Sequence, residues 1–345
     1  MGFIARLFRK PEAESILLID VGAGSVAGAY AHFTPGAQPT LAYTRRIPIS
    51  AKPHEDTIEA MTRTLGELCD ALVSDGAPAL ARLAGSGRVE ALLVSISAPW
   101  QSTLLRHETF ENARPFTFTR KMLDDAIRKA TVAPQGKLLV DESVVGTTLN
   151  GYETREPFGK QVLRAQVLML VSFIDEPVAR AIAGVLRSVF HTERIPTIAG
   201  SSLRYQAVRS VFPHERNAFL LDASGPEIAI SLIRKGLLVA VKELPDGEAG
   251  SPEWIAEVGD SFGAFATKYP LPRIIFILAD DDRLSVVQRA LEGADLGKMW
   301  LTDEPPKVVP IRLKQLPPVK QGPEGEPDIV MQLMTLYWRE HGHDE

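Results

Sequence analysis

The sequence holds little that would support a disulfide framework, a membrane span or a nucleic-acid surface. Cys69 is the only cysteine among 345 residues, which excludes an internal disulfide and a site built from several thiolates. No apolar run approaches the ~20 residues that cross a bilayer, and no long apolar stretch follows the basic segment Met1–Lys10. The net charge of −5 provides no overall positive field for nucleic acid. We therefore expect a cytoplasmic protein that binds no nucleic acid.

Candidate metal ligands and catalytic groups are equally sparse. The seven histidines are scattered, and only His341 and His343 lie close together, in a polar tail that we expect to fray. Cys69 falls in a helical pattern, where a structural thiol is expected. Asp141 and Glu142 are interpreted as solvated acids at a strand end. No metal site and no catalytic residue are predicted.

The order of hydrophobic patterns predicts an α/β protein. Three strand-like runs, Ser15–Val21, Val26–His32 and Leu41–Ile49, are followed by a long helical pattern at Thr57–Ser74. Val89–Ser97 then has the near-continuous apolar character of a buried strand, which favours a parallel central sheet. At 345 residues the chain is long enough for two domains or one large two-lobed domain.

A small α+β unit is predicted to interrupt this fold. Ser102–Phe110 alternates like a strand, Thr119–Ala130 has helical periodicity with Thr119 as N-cap, and Lys137–Gly151 and Lys160–Phe173 form two further strands. Later strands and helices are predicted at Asp175–Phe190, Ile195–Ala199, Ser201–Val211, Ala218–Asp222, Glu227–Arg234, Leu237–Glu243, Pro252–Lys268, Arg273–Ala279, Asp282–Glu292 and Ile329–Glu340. Leu316–Pro327 is predicted to be a loop because its prolines oppose regular pairing.

Two segments about two hundred residues apart share one plan. Leu17–Ser25 and Leu220–Ile228 each contain a strand, an aspartate at its end (Asp20 or Asp222), a turn of small residues and a second strand. Such turns present backbone N–H groups to phosphate, and the aspartate can hold a divalent cation through water. The alternative is a pair of ordinary hairpins with flexible turns.

In this order the segments resemble the actin-like ATPases, in particular the FtsA/PilM branch. Asp20–Ser25 is similar to the first phosphate motif and Asp222–Glu227 to the second. The inserted unit, with Leu149–Tyr152 followed by Pro157–Lys160, resembles subdomain 1C, and the leader Gly2–Lys10 resembles that of PilM-like proteins. The resemblance implies a two-lobed actin-like (ribonuclease H-like) α/β fold with a 1C-like insertion and a reduced or missing subdomain 2B.

The resemblance also implies a division of the chain. A basic amphipathic leader occupies residues 1–12, and the first lobe (1A) occupies residues 13–97 and 175–214. The 1C-like insertion spans residues 98–174. The second lobe (2A) covers residues 215–315, with 246–272 as a remnant of 2B, and a linker and closing helix fill residues 316–345.

The family's nucleotide motifs are altered in this sequence. Phe276–Asp282, where ATP-binding members carry a glycine-rich adenosine motif, has no glycine, and three of its residues are aspartates. Ala223 and Ser224 replace a glycine pair, and Pro226 removes an N–H donor. We expect no cofactor, or weak ATP–Mg binding, at a vestigial nucleotide site made of Asp20, Gly22, Gly24, Ser25, Asp222, Ser224 and Gly225.

The resemblance implies a scaffold that binds the cytoplasmic segment of an inner-membrane assembly protein, in a type IV pilus or secretion apparatus. Self-association into a ring or filament would fit this role. The alternative is an active actin-like ATPase in cell division, or a sugar kinase of the same superfold. We find neither a catalytic aspartate for a kinase nor a group that activates water.

Two partner-binding segments are predicted. The resemblance places a peptide groove between the first lobe and the insertion, along Val144–Tyr152, with Asn150, Tyr152 and Phe158 as partner-binding residues. The competing interpretation packs Tyr152 and Phe158 onto the insertion's own core. In the leader, one helical face would carry the apolar residues Phe3, Ile4, Leu7 and Phe8. It would contact a partner or an anionic membrane surface, which would make the protein peripheral to the inner membrane, unless it is disordered or packs on its own domain.

Overall fold

The computed structural model describes residues 13–22, 24–154, 156–192, 195–224, 228–244, 247, 250–279, 281–300 and 304–342. The chain divides into two compact units. The first comprises Met1–Ser95, Ala181–Pro196 and Arg312–Glu345, and the second comprises Ile96–Arg180 and Thr197–Ile311. Each unit joins segments that are distant in sequence, so each core depends on long-range contacts.

A sheet of mixed direction forms the centre of the first unit. Its strands are β1 (Glu14–Val21), β2 (Ser25–Phe33), β3 (Thr40–Pro48), β4 (Ala91–Ile96) and β15 (Lys320–Gly325), in the spatial order β15-β3-β2-β1-β4. The pairs β1/β2 and β2/β3 are antiparallel. β1 is buried along nearly its whole length, as its apolar run predicts.

Two helical segments lie between β3 and β4. α1 (Thr57–Ala71) begins at Asp56, which forms a capping box with Glu59. The predicted helix Thr57–Ser74 is confirmed, but it continues through a π-helical turn, Leu72–Gly76, into α2 (Ala77–Ala84). A side chain at Gly76 would meet the ring of Tyr30 at 2.6 Å, so the turn needs glycine to approach the sheet.

The stretch Leu316–Pro327 is not a loop, and that prediction was wrong. Its residues 320–325 form β15, which pairs in parallel with β3 at the edge of the sheet. The register shifts between Gln321 and Glu324, so Pro323 lies at an irregularity of the ladder. Proline is tolerated at edge strands and bulges, and the prolines therefore excluded only a central strand.

One antiparallel sheet of the second unit corresponds to the predicted insertion. Its strands are β5 (Gln101–Thr117), β6 (Lys137–Leu149), β7 (Tyr152–Thr154) and β8 (Gln161–Asp175), in the order β5-β8-β6-β7. α3 (Arg120–Ala130) packs on one face, and Thr119 accepts the N–H of Met122 as its predicted N-cap. The strand–helix–strand–strand prediction is confirmed, and β7 is an addition to it.

The second sheet of this unit has five strands. Its strands are β10 (Ala218–Asp222), β11 (Ile228–Arg234), β12 (Leu237–Leu244), β13 (Ile274–Leu278) and β14 (Lys307–Ile311), in the order β12-β11-β10-β13-β14. β13 runs parallel to both β10 and β14. β14 was not predicted, because Pro310 interrupts its apolar pattern; it lies at the sheet edge, where proline is tolerated.

The remaining elements follow the predicted positions closely. They are α4 (Glu176–Phe190), β9 (Thr197–Ala199), α5 (Gly200–Val211), α6 (Pro252–Ala266), α7 (Asp281–Gly293) and α8 (Ile329–His341), with short 3-10 turns at Gly297–Met299 and Leu313–Gln315. α8 belongs to the first unit and is buried from Ile329 to Leu336. None of the helices in the described ranges is long and apolar enough to span a membrane.

Candidate functional site

The first aspartate turn lies between β1 and β2. Asp20 is only 2% exposed near the end of β1, and Ser25 begins β2. The N–H of Gly22 donates to the carbonyl of Ser25 at 3.0 Å, and the N–H of Ile49 donates to the carbonyl of Gly24 at 2.8 Å. The N–H of Gly22 and the carbonyl of Gly24, in the predicted phosphate cradle, therefore have partners within the chain.

An arginine on β3 connects the residues of this turn. The Nη1 of Arg46 donates to the Ser25 hydroxyl at 2.7 Å and lies 3.6 Å from the Oδ2 of Asp20. Its Nε donates to the Oδ2 of Asp328 at 2.7 Å. One guanidinium thus joins the two predicted residues Asp20 and Ser25 to a carboxylate near the end of the chain.

Asp328 is held in the ionised form at the N-terminus of α8. Its Oδ1 accepts the N–H groups of Val330 and Met331 at 2.9 and 3.0 Å. Burial opposes its charge, but the charge and hydrogen bond of Arg46, together with these N–H groups, outweigh burial and lower its pKa. Sequence reasoning missed Asp328 and Arg46; an aspartate directly before an apolar helix was the available N-cap signal.

The second aspartate turn follows β10. The Oδ2 of Asp222 lies 2.6 Å from the Nε of Arg204, a residue of α5 that is 5% exposed. The N–H and hydroxyl of Ser224 donate to Oδ1 of the same carboxylate at 3.1 and 2.6 Å. Asp222 and Ser224 are therefore in direct contact with each other. Gly225 lies outside the described residues.

The run that replaces the adenosine motif joins β13 to α7. Phe276, Ile277 and Leu278 are buried within the strand, and Ala279 is buried directly after it. α7 begins at Asp281. Asp280 lies outside the described residues, as do the side chains of the next two aspartates, so the predicted crowding of acids around a nucleotide stays a prediction.

The turn between β6 and β7 brings two predicted partner residues together. Asn150 and Gly151 both have positive φ, of 49° and 85°, as a tight hairpin turn requires. The side-chain oxygen of Asn150 accepts the N–H groups of Leu163 and Arg164, each at 3.0 Å. Asn150 thus fixes the turn against β8, whereas Tyr152 is 80% exposed.

Phe158 has a different environment from Tyr152. Its ring stacks on the fully buried ring of Phe118 with centroids 6.1 Å apart, and the guanidinium of Arg120 lies 5.0 Å from its centroid. It is 39% exposed. The competing interpretation, that these aromatics pack on the unit's own core, describes Phe158 but not Tyr152.

Asp141 is not a solvated acid, and that interpretation was wrong. It lies at a register shift of β6, and burial raises its pKa more strongly than the nearby Ser202 side chain and the backbone of Ala199 and Glu142 lower it. The neighbouring Glu142 is exposed, yet partial desolvation and then the charge of Asp141 raise its pKa too. The alternating pattern predicted the strand but not its bulge, which turns Asp141 inward.

Three other candidate groups are the cysteine thiol, the possible metal ligands and the leader residues. Cys69 is buried, and burial raises the pKa of its thiol to about 12, so it is a structural residue as predicted. Within the described ranges, no cluster of three or more histidine, cysteine, aspartate or glutamate side chains is arranged to hold a metal ion. The leader residues Phe3, Ile4, Leu7 and Phe8 lie outside the described residues.

No family model matches the chain, and no curated protein matches its sequence. Among solved structures, a chain of the PilM–PilN type IV pilus biogenesis complex is 14% identical, with a TM-score of 0.54 over 94% of each chain. An actin-like ATPase fold protein of Bacteroides thetaiotaomicron is 9% identical, with a TM-score of 0.47 over 94% of this chain and 96% of its own. The cytoplasmic domain of Vibrio cholerae EpsL, an inner-membrane component of the type II secretion system, is 11% identical, with a TM-score of 0.40 over 94% of this chain and 95% of its own.

Two observations together establish the fold: the order and pairing of the strands, and the match to the PilM–PilN structure. Each unit contains a hairpin with an aspartate near the end of its first strand, and the second unit also carries the inserted strand–helix–strand–strand sheet. The match to the PilM–PilN structure covers nearly the whole of both chains. At 14% identity such a match establishes fold and not activity. The chain therefore has the actin-like ATPase fold, in the form shared with the PilM–PilN structure.

Proposed function

We propose that this chain is a cytoplasmic scaffold that binds the cytoplasmic segment of an inner-membrane protein in a type IV pilus or secretion apparatus. The observation that carries the proposal is the fold shared, over 94% of both chains, with a chain from a complex of PilM and PilN in type IV pilus biogenesis. Sites on a shared fold differ, so the binding surface has to be argued from this chain's own residues.

The edge of the four-stranded sheet supports the proposal. β7 is the last strand in the order β5-β8-β6-β7, so its outer side is available for main-chain pairing with an extended peptide. Tyr152 stands on this strand with 80% of its side chain exposed. A large exposed aromatic at an unpaired edge is the type of residue that anchors a peptide.

The strand is also held rigidly enough to act as a template. Glu153 forms an ion pair with Arg216, and the Thr154 hydroxyl accepts a hydrogen bond from Lys160 at 3.1 Å. Leu163, whose N–H bonds to Asn150, is 48% exposed near the same turn. An ordered edge with exposed apolar side chains loses little entropy on binding.

Tyr152→Ala in the full chain tests this surface. Wild type should enrich an inner-membrane protein from solubilised membranes, and a synthetic peptide of that protein's cytoplasmic segment should bind in calorimetry. The variant should keep its melting temperature and lose roughly ten-fold or more in affinity, the usual cost of truncating an anchor. Val132→Ala, at a residue 66% exposed outside the sheet edge, serves as the matched control.

Unchanged peptide affinity in Tyr152→Ala would remove β7 as the binding edge. Failure of wild type to enrich any inner-membrane protein would contradict the scaffold itself. Deleting Met1–Lys10 tests the peripheral location separately. Because β1 begins only at Glu14, the truncated protein should stay folded and shift from the membrane fraction to the soluble fraction.

A further inference from the structure

Actin-like ATPases hold a magnesium–nucleotide complex at their two aspartate turns, and neither turn of this chain fits one. We infer that Arg46 and Arg204 replace the positive charge of that metal at the two aspartates, so that the protein is built to fold and work without a nucleotide. The inference concerns the aspartate turns alone and does not depend on the proposed partner surface.

In the first turn two polar groups that a phosphate would use are already bonded within the chain. The Ser25 hydroxyl accepts from Arg46, and the Gly22 N–H donates to the carbonyl of Ser25. A phosphate cradle requires N–H groups that point outward, and a water-bonded Mg²⁺ requires an aspartate without a competing cation. The guanidinium 3.6 Å from Asp20 would repel a divalent ion at that carboxylate.

The guanidinium of Arg46 is fixed in this position from its other side. Its Nε is bonded to Asp328, which is itself held by two N–H groups at the start of α8. The planar fork of arginine suits two separate acceptors, whereas a flexible side chain would be free to move away. Arg46 is therefore a permanent member of the turn.

In the second turn both oxygens of Asp222 have partners. Arg204 binds Oδ2 at 2.6 Å, and Ser224 donates twice to Oδ1. Space for this arginine is provided by Gly200 at the start of α5, where an added Cβ would lie 2.8 Å from the Nη1 of Arg204. The arginine is thus accommodated by its surroundings and is 5% exposed.

The two arginines come from different elements. Arg46 is on a strand that follows its turn, while Arg204 is on a helix that precedes its turn. The two arginines do not occupy corresponding positions in the repeated hairpins. Duplication of one hairpin therefore does not explain why both aspartates have an arginine partner. In each turn, nevertheless, an arginine lies beside the aspartate, at the position where actin-like ATPases hold a metal ion.

The test compares melting temperatures of the full chain with and without Mg²⁺ alone and Mg·ATP, supported by calorimetric titration. Wild type should show no shift with either addition. Arg204→Ala and Arg46→Ala should each melt at a lower temperature. Mg²⁺ should restore part of this loss, since it can neutralise the aspartate that has lost its arginine. Arg63→Ala, which removes an arginine from the surface carboxylates Glu55 and Glu67, is the matched control and should not respond to Mg²⁺.

Two results would overturn the inference. Low-micromolar binding of Mg·ATP to wild type would show that the turns accept a nucleotide despite the arginines. Folded Arg204→Ala and Arg46→Ala proteins whose melting temperatures ignore Mg²⁺ would show that the arginines are ordinary structural ion pairs. If Arg46→Ala does not fold, Arg204→Ala and the wild-type titration decide the outcome.

Discussion

The two aspartate turns carry the same acid near the end of the first strand of a hairpin, but each pairs it with an arginine from a different element. In the first unit, Arg46 serves Asp20, Ser25 and a remote carboxylate, Asp328. In the second unit, Arg204 pairs with Asp222, and the serine of the turn bonds directly to that carboxylate. The first turn is therefore one part of a network that joins distant segments, whereas the second is a local arrangement.

This difference teaches that charge balance, rather than the local motif, decides what a strand-end aspartate does in this fold. A desolvated carboxylate without a cation nearby destabilises the folded state. In each turn the cation is an arginine supplied by a neighbouring element, a strand in one case and a helix in the other. The following predictions test whether the network is in fact more important to stability than the local pair.

The largest effect is expected from Arg46→Ala. It leaves Asp20 and Asp328 buried without their shared cation, so the free energy of unfolding should fall by about 3–5 kcal/mol. Urea denaturation at neutral pH measures the loss. Arg63→Ala removes surface ion pairs, which are screened by water, so its loss of stability should be far smaller. A loss in Arg46→Ala no greater than in this control would refute the network.

A smaller loss is expected from Arg204→Ala. Ser224 still donates two hydrogen bonds to Asp222, so the cost should be about 2–3 kcal/mol. The same urea experiment measures it, with Arg204→Lys as the variant that keeps the charge but loses the planar fork. A larger loss of unfolding free energy in Arg204→Ala than in Arg46→Ala would show that the local pair contributes more to stability than the network does.

Acid should weaken the first network through Asp328. Its folded-state pKa is lowered, so its contribution is complete above the unfolded value near ~4 and is lost as pH falls through the folded value. Asp328→Asn keeps an N-cap but not the charge. The stability difference between wild type and this variant should shrink between neutral pH and pH ~3. A difference independent of pH would contradict the ionised pair.

The smallest effect, with the opposite sign, is expected from Asp141 in the second unit. Its folded-state pKa is raised, so the native state takes up a proton before the unfolded chain does and gains stability as pH falls toward ~4. Wild type should therefore gain relative to Asp141→Asn over this range in urea titrations at several pH values. Parallel pH profiles for the two proteins would show that burial of Asp141 is energetically unimportant.

Local periodicity was sufficient to predict most elements of the fold. β1, β2 and β3 and the capped helices follow from apolar spacing and N-cap residues, which act over a few positions. β15 was missed because a strand at a sheet edge is defined by its neighbour, and that neighbour, β3, is hundreds of residues earlier in the chain. Its composition alone indicates a loop.

The candidate site was predictable only in part. The repeated plan identified Asp20 and Asp222 as equivalent strand-end acids, since both follow apolar strands. Their arginine partners were not predictable, because nothing in the local sequence around Arg46 or Arg204 reports which distant carboxylate each will meet. The different environments of Tyr152 and Phe158 were likewise not predictable, because Phe158 stacks on Phe118, a core residue from another segment.

The contact between Arg46 and Asp328 also determines when the first unit can form during synthesis. The two residues are 282 positions apart, and the largely buried helix α8 begins only after the second of them. At the usual rate of translation, ~5–20 residues per second, Asp328 is synthesised roughly 14–56 s after Arg46. The second unit ends at Ile311 and is complete in sequence before α8 is synthesised. The first unit therefore begins earlier in the sequence than the second but is completed only after it.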